Sequence, residues 1–289
     1  MTNSYFSINC SGKLHDFHQI AVMGILNATP DSFYDGGQYS NLNFAIEHAA
    51  KMLAEGADII DVGGVSTRPN AAHVSEQEEM DRVLPVIERL TASFKDIIIS
   101  IDTFRASVAQ AAYLAGAHIV NDISGGDMDE GMFPLIARLK CPYILSHIKG
   151  TPQNMQNNPQ YEDVVLEVLK LLTEKATKLK EQGVNDIILD PGFGFGKTID
   201  QNYQLLMGIQ VMSKSIAYPI LAGISRKSML YKPLGITPKE SLTATAAAHL
   251  IAIQNGARLL RVHDVKAAKD VIKIWELSQG RGEIHNATS

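Results

Sequence analysis

Short runs of β-branched apolar residues recur along the chain at 20–26 (IAVMGIL), 58–62 (DIIDV), 96–101 (DIIISI), 118–120 (HIV), 142–145 (PYIL), 186–189 (DIIL), 219–222 (PILA) and 258–262 (RLLRV). Each is too short for a helix and lacks the strict alternation of a half-exposed strand, so each predicts a strand buried on both faces. Between them lie stretches with helical periodicity, among them 42–55 and 75–94, the second opening on a Ser75-x-x-Glu78 capping box. Gly56, Gly116 and Gly256 stand just before strands, where a left-handed glycine ends a helix. Eight strands each followed by a helix, with no linker or shift of composition, predict a single α/β domain, a (β/α)8 TIM barrel over 20–278. Residues 1–19 read as an N-terminal extension and 279–289 as a polar tail.

Composition narrows the class without naming a function. The 289 residues carry 26 Lys plus Arg against 31 Asp plus Glu, a net charge of −5, with 45% apolar and 20% charged residues. That excludes a disordered, collagen-like or strongly basic nucleic-acid-binding chain. With two cysteines, Cys10 and Cys141, and no signal-like start, a disulfide scaffold is not expected. The apolar runs fall short of a membrane span. The expectation is a cytoplasmic protein.

In a parallel barrel the chemistry gathers at the C-terminal ends of the strands. Here those ends are polar: Asn27, Asp61, Asp102, Asn121 with Asp122, Ser146 with His147, Asp190, Ser225 just beyond strand seven, and His263. Thr103 and Asp122 could equally cap the helices that follow. A converging ring of amides and carboxylates is costly unless it meets a polar ligand, which predicts a small substrate rich in hydrogen-bonding groups. Arg261 and His263 at the end of strand eight, and Arg68 in the loop 63–69, suit an anion. Asn27 offers a neutral oxygen to a Mg2+ that shares its shell with phosphate oxygens and water.

The segment Asp190-Pro191-Gly192-Phe193-Gly194-Phe195-Gly196-Lys197-Thr198 imitates a phosphate-binding P-loop, but proline stands where the first glycine is required. Asp190 is better suited to accept two parallel hydrogen bonds from a heterocycle. Asp102 and the Asn121 amide would complete that edge, and Lys227 in Ser225-Arg226-Lys227-Ser228 would donate to the ring's acceptors. No HExxH, paired CxxC or GxSxG motif occurs, which removes metalloprotease, zinc-finger and α/β-hydrolase readings.

NATPDSFYDGG at 27–37 and GADIIDVGGVSTRP at 56–69 closely resemble dihydropteroate synthases, and IDT at 101–103, NDIS at 121–124, HIKGTPQNM at 147–155, DPGFGFGK at 190–197, SRKS at 225–228 and RVHDV at 261–265 follow in the family's order. The resemblance implies condensation of 6-hydroxymethyl-7,8-dihydropterin pyrophosphate with 4-aminobenzoate, assisted by Mg2+, to give 7,8-dihydropteroate and pyrophosphate in folate biosynthesis. It implies that Asp102, Asn121, Asp190 and Lys227 grip the pterin, and that Asn27, Thr67, Arg68, Arg261 and His263 hold the pyrophosphate, with Asn27 also on the metal. Phe33, Pro69 and Ser228 would line the aminobenzoate site. Asp35, Lys227, Arg261 and His263 would carry the catalytic work, and Asp31 would order the first loop. A homodimer and sensitivity to sulfonamides are implied as well.

Three positions depart from the family pattern. Val65 stands for the usual glutamate of GGESTRPG, Asn70 for its last glycine, and Ile148 for a methionine before Lys149-Gly150. The first two touch the second loop; the third is a volume-conserving apolar change. Two other readings stand beside the synthase: a methyltetrahydrofolate-binding methyltransferase domain on a similar barrel, and a non-catalytic pterin-binding paralogue. The set TPDSF, STRP and SRKS favours the synthase.

Overall fold

The computed structural model describes residues 6–28, 38–66 and 74–281. The chain opens with two short strands, β1 (Phe6–Cys10) and β2 (Lys13–Phe17), and then builds the barrel. Its strands are β3 (Ala21–Asn27), β4 (Ile59–Gly63), β5 (Ile99–Asp102), β6 (Ile119–Asp122), β7 (Tyr143–Ser146), β8 (Ile187–Asp190), β9 (Leu221–Ala222) and β10 (Leu259–Val262). They pair in parallel in the order β8-β7-β6-β5-β4-β3-β10-β9. A bridge from Leu189 to Ile220 and a bond from Leu189 N to Pro219 O (2.9 Å) close the ring.

Nine helices among the described residues surround it: α1 (Gln38–Ala54), α2 (Glu76–Ser93), α3 (Ala106–Leu114), α4 (Met132–Leu139), α5 (Val164–Glu181), α6 (Ile199–Ser215), α7 (Ser228–Leu234), α8 (Leu242–Gln254) and α9 (Val265–Ser278). The expected glycine stops hold, with Gly56, Gly116 and Gly256 at φ +96°, +115° and +111°. The capping box at Ser75 is half formed: its side chain accepts from Glu78 N (3.2 Å), whereas Glu78 turns to Arg82 on the next turn (2.8 Å). None of the described helices is long and apolar enough to cross a membrane.

The strands are buried on both faces for two different reasons. Outward residues such as Val22, Leu26, Ile60, Ile99 and Leu189 meet the helices, while inward residues fill the barrel. The inward floor is Ala21, Met23, Ile59, Ile98, Ile119, Ile144, Ile188, Leu221 and Leu259. Side chains in a strand alternate, so the next inward position lies two residues on. Those positions are Asp61, Ser100, Asn121, Ser146, Asp190, Gly223 and Arg261, with apolar Ile25 completing the layer on β3. An apolar floor beneath a polar ring thus follows from the sequence register of the strands.

Residues 6–17, which sequence reasoning left as part of an extension, form an antiparallel hairpin. Its turn residues Ser11 and Gly12 both take positive φ (53° and 89°), and Asn9 Oδ1 accepts the Gly12 N–H (2.8 Å), the geometry of a tight two-residue turn. Ile8 and Cys10 point into the floor cluster and Phe6 stacks on Phe17 at 4.8 Å, so the hairpin plugs the end of the barrel opposite the polar ring. Ile8→Ala is expected to lower the unfolding free energy by about 2–5 kcal/mol. A denaturant titration giving an unchanged midpoint would show that the hairpin does not support the floor.

Candidate active site

Arg261 occupies the middle of the polar ring. Its Nε donates to Asp61 Oδ2 (2.6 Å) and its Nη2 to Asp102 Oδ2 (2.5 Å). Asn121 Nδ2 reaches the same Asp61 oxygen (3.1 Å). Asp61 is fully buried, and its other oxygen, Oδ1, has no hydrogen-bond partner. Burial pushes the Asp102 carboxyl up, and Arg261 pulls it back toward the ionised form. Burial also opposes the Arg261 charge, but Asp61 and Asp102 outweigh it and hold the guanidinium above its ordinary value.

On the far side of the ring stands Asp190. Its Oδ1 accepts from Gly192 N (2.8 Å) and its Oδ2 from Ser146 Oγ at 3.4 Å. Lys227, the residue before α7, donates to the Phe193 carbonyl and lies over the Phe195 ring at 4.5 Å. Burial lowers its pKa to about 8 against the opposing pull of Asp190. Gly223 sits between them: a Cβ there would be 3.9 Å from both Asp190 Oδ2 and Lys227 Nζ. That leaves an aspartate and a lysine facing a shared space across a residue without a side chain.

The loop after β8 is held shut from below. Gly192 is at φ +72°, and a Cβ on it would run into the His147 carbonyl. Lys197 Nζ donates to Gly192 O (2.9 Å) and Phe195 O (3.0 Å) and meets His147 Nδ1 at 2.9 Å. Gln156 Nε2 and Tyr161 OH donate to the Gly194 and Gly196 carbonyls (2.7 and 2.9 Å). The Gly-Lys-Thr sequence that imitates a P-loop therefore does different work, since its lysine is buried and donates inward to protein carbonyls. Thr198 is the N-cap of α6, in a complete capping box with Gln201.

Strand ten continues into His263, whose backbone N and ring Nδ1 lie 3.2 and 3.1 Å from Ser225 Oγ. Arg226 and Asp264 form a two-pronged pair alongside (2.7 and 2.8 Å). Asn27 is exposed at the end of β3. Asp122 turns out of the ring: its carboxylate accepts from Ser124 N and Oγ, Gly126 N and Tyr143 OH, all within 2.8 Å, and so holds the turn after β6 instead of capping α4, whose N-cap is Gly131. Thr103 Oγ1 accepts from Arg105 N at 3.2 Å, which orders the approach to α3 without capping it, since its N-cap is Arg105.

The structure thus brings together Asp102, Asn121, Asp190, Lys227 and Arg261, with Asn27, Ser228 and His263 on neighbouring strand ends or the start of α7. Asp31, Phe33, Asp35, Thr67, Arg68, Pro69 and Asn70 lie outside the described residues. The flanks of the second loop are described. Arg82 Nη1 donates to Gly64 O (2.9 Å) and Arg105 Nη2 to Val74 O (2.7 Å), with Arg105 in turn paired to the buried Glu79. No group of three or more His, Cys, Asp or Glu is arranged to hold a metal among the described residues. A lone amide at Asn27 fits a hydrated Mg2+ carried by a diphosphate, not a cation caged by protein.

Known proteins share this chain's sequence and architecture. The pterin binding enzyme family matches residues 23–263. A dihydropteroate synthase of Haemophilus influenzae is 44% identical over 268 residues, covering 92% of this chain and 96% of that protein. The chain belongs to the dihydropteroate synthase family. Among solved structures, the Xanthomonas albilineans dihydropteroate synthase with 4-aminobenzoic acid superposes with a TM-score of 0.87 at 40% identity, covering 94% of this chain and 98% of that one. The same enzyme in complex with 7,8-dihydropteroate gives a TM-score of 0.85 at 38% identity over 95% and 99% of the two chains.

For this member of the dihydropteroate synthase family, sequence reasoning identified the ring but not its internal bonds. Asp61 was read as one polar strand end among several, whereas it is the buried carboxylate to which Arg261 and Asn121 both bind. The inward register, two residues beyond Ile59, was the signal that could have found it. Asp61→Asn is expected to cost about 2 kcal/mol of folding stability, because a charge-assisted bond to Arg261 is lost in a buried setting. An unchanged denaturation midpoint would refute that assignment.

Proposed function

We propose that the chain condenses 6-hydroxymethyl-7,8-dihydropterin pyrophosphate with 4-aminobenzoate, releasing pyrophosphate and 7,8-dihydropteroate. The observation that carries this reading is the ring itself: two carboxylates, an amide and a lysine converge on one slot above an apolar floor. In this reading Asp190 accepts two parallel N–H bonds from the pterin, Asp102 and Asn121 meet its opposite edge, and Lys227 donates to its acceptor atoms.

Substrate entry then exchanges partners. Arg261 leaves Asp102 for the pyrophosphate, and Asp102 takes the pterin in its place, so neither charge is ever buried alone. Asn27, Thr67, Arg68 and His263 complete the pyrophosphate site, and Phe33, Pro69 and Ser228 receive the aminobenzoate. Mg2+, held by Asn27 and the diphosphate, supplies charge neutralisation of the leaving group. The methylene C–O bond breaks first, both electrons leaving with pyrophosphate. The arylamine lone pair then forms the C–N bond, and the amine loses a proton to solvent or the departing anion. A neutral arylamine needs no strong base, so the residues work by alignment and by electrostatic stabilisation, with Asp35 facing the transient cation.

A homodimer fits the outer surface. Tyr203, Met207 and Val211 lie at four-residue spacing on α6 and are 40%, 61% and 47% exposed, beside α7 and α8, which add exposed Leu234 and Leu242. An apolar stripe of that extent is suited to burial against a second copy.

With both substrates and Mg2+, purified protein is expected to release pyrophosphate, and no release would sink the reading. Asp190→Asn is expected to weaken pterin binding at least about tenfold in calorimetry, the size of one charged hydrogen bond, and equal affinity would remove Asp190 from the site. Light scattering should give a dimer that Met207→Glu converts to monomer; a monomeric parent protein would contradict the interface.

A further inference from the structure

Lys197 is 3% exposed and has no carboxylate in contact with its ammonium. Its three donors are all engaged, by His147 Nδ1 at 2.9 Å, Gly192 O at 2.9 Å and Phe195 O at 3.0 Å. A buried lysine with no carboxylate bonded to it is expensive, and burial lowers its pKa to about 7 although the nearby Asp190 charge pulls the other way. An apolar side chain of similar length would fill the same space without that cost. What the ammonium does that a methionine could not is tie two strand-end loops together at fixed points.

Those points lead to one carboxylate. Gly192, held at its carbonyl by Lys197, donates its own N–H to Asp190 Oδ1 at 2.8 Å. His147, held at its ring, follows Ser146, whose Oγ faces Asp190 Oδ2 at 3.4 Å, and the His147 N–H donates to the Asp190 backbone carbonyl at 3.0 Å. Asp190 Oδ1 is therefore oriented by a residue that Lys197 holds directly, and Oδ2 by Ser146, the chain neighbour of the other. We propose that Lys197 is a positioning residue for pterin recognition: it sets the plane of the Asp190 carboxylate by clamping Gly192 to His147 beneath it.

This rests on the reading of Asp190 as the pterin acceptor, and the test separates the two. Calorimetry with a pterin ligand is run on the parent protein, Lys197→Met, Asp190→Asn and the double variant. Lys197→Met should weaken pterin binding about tenfold, the worth of one charge-assisted bond, while leaving the KM for 4-aminobenzoate within about threefold. In the Asp190→Asn background the same substitution should cost nothing further, because the two act as a unit. Additive losses, or pterin affinity retained in Lys197→Met, would overturn the proposal. Loss of affinity in Lys197→Met but not in Asp190→Asn would instead overturn the assignment of Asp190.

Lys197→Gln, which keeps two N–H donors, takes the place of the methionine variant should that fail to fold. The parent protein supplies an independent check. With Nδ1 accepting from a charged Lys197, nitrogen NMR at pH 6 should find His147 neutral and protonated on Nε2. A proton on Nδ1 at that pH would break the clamp as described.

Discussion

The mouth of this barrel depends on one guanidinium placed between a fully buried carboxylate, Asp61, and a partly buried one, Asp102. Arg261 is fixed by Asp61 at 2.6 Å and by Asp102 at 2.5 Å. Removing Arg261 would leave two carboxylates without their partner, a cost of several kcal/mol, whereas losing one carboxylate leaves Arg261 paired with the other. The triad explains why Asp61, which faces only protein, is charged at all. It also corrects a picture drawn from loop cations alone. The described mouth is not a basic bowl: Arg261 is committed to carboxylates, and Lys197 and Lys227 to backbone carbonyls. In the proposed reading, anion binding there requires Arg261 to be redeployed.

The floor beneath makes that economy of charge effective. Ile59, Ile119, Ile144, Ile188 and Leu259 fill the barrel directly under the ring, and Ile8 and Cys10 from the hairpin close it from below. With no polar group in that layer, water has no foothold under Asp61, and the local dielectric stays low. A low dielectric strengthens the triad and raises the penalty for breaking it. The hairpin is thus part of the electrostatics of a site at the other end of the barrel, though it touches no residue of the ring.

Much of this was legible in the chain, because strand register is a local property. Once 58–62 and 186–189 are read as inward-and-outward buried strands, Asp61 and Asp190 can only point inward, and a polar layer at one height follows. Helix stops at Gly56, Gly116 and Gly256 were legible for the same reason: the φ they require belongs to one residue. The pairings were not. Asp61 and Arg261 are 200 residues apart, and nothing in either neighbourhood names the other. The hairpin was missed because Phe6, Ile8 and Cys10 alternate with polar residues over only five positions, too short a run to outweigh its polar setting. Lys197 was seen only as the end of a failed P-loop, since burial of a lysine is a tertiary fact.

The division of labour between strands and loops bears on how specificity is set. Asp102, Asn121 and Asp190 stand at or next to the ends of their strands, Asp102 and Asn121 paired in the ladder on both sides and Asp190 with Ser146 on one. A residue so held loses little further freedom when a ligand arrives, so hydrogen bonds from these positions discriminate a heterocycle by geometry more than by adaptation. The groups assigned to pyrophosphate and aminobenzoate come largely from the loops after β3 and β4, where Val65 and Asn70 depart from the family pattern. Changes in those loops can alter the fit of the second substrate without moving the pterin acceptors, because the two sets share no backbone. In the proposed reading the ring therefore sets which heterocycle enters, and the loops can vary which amine meets it.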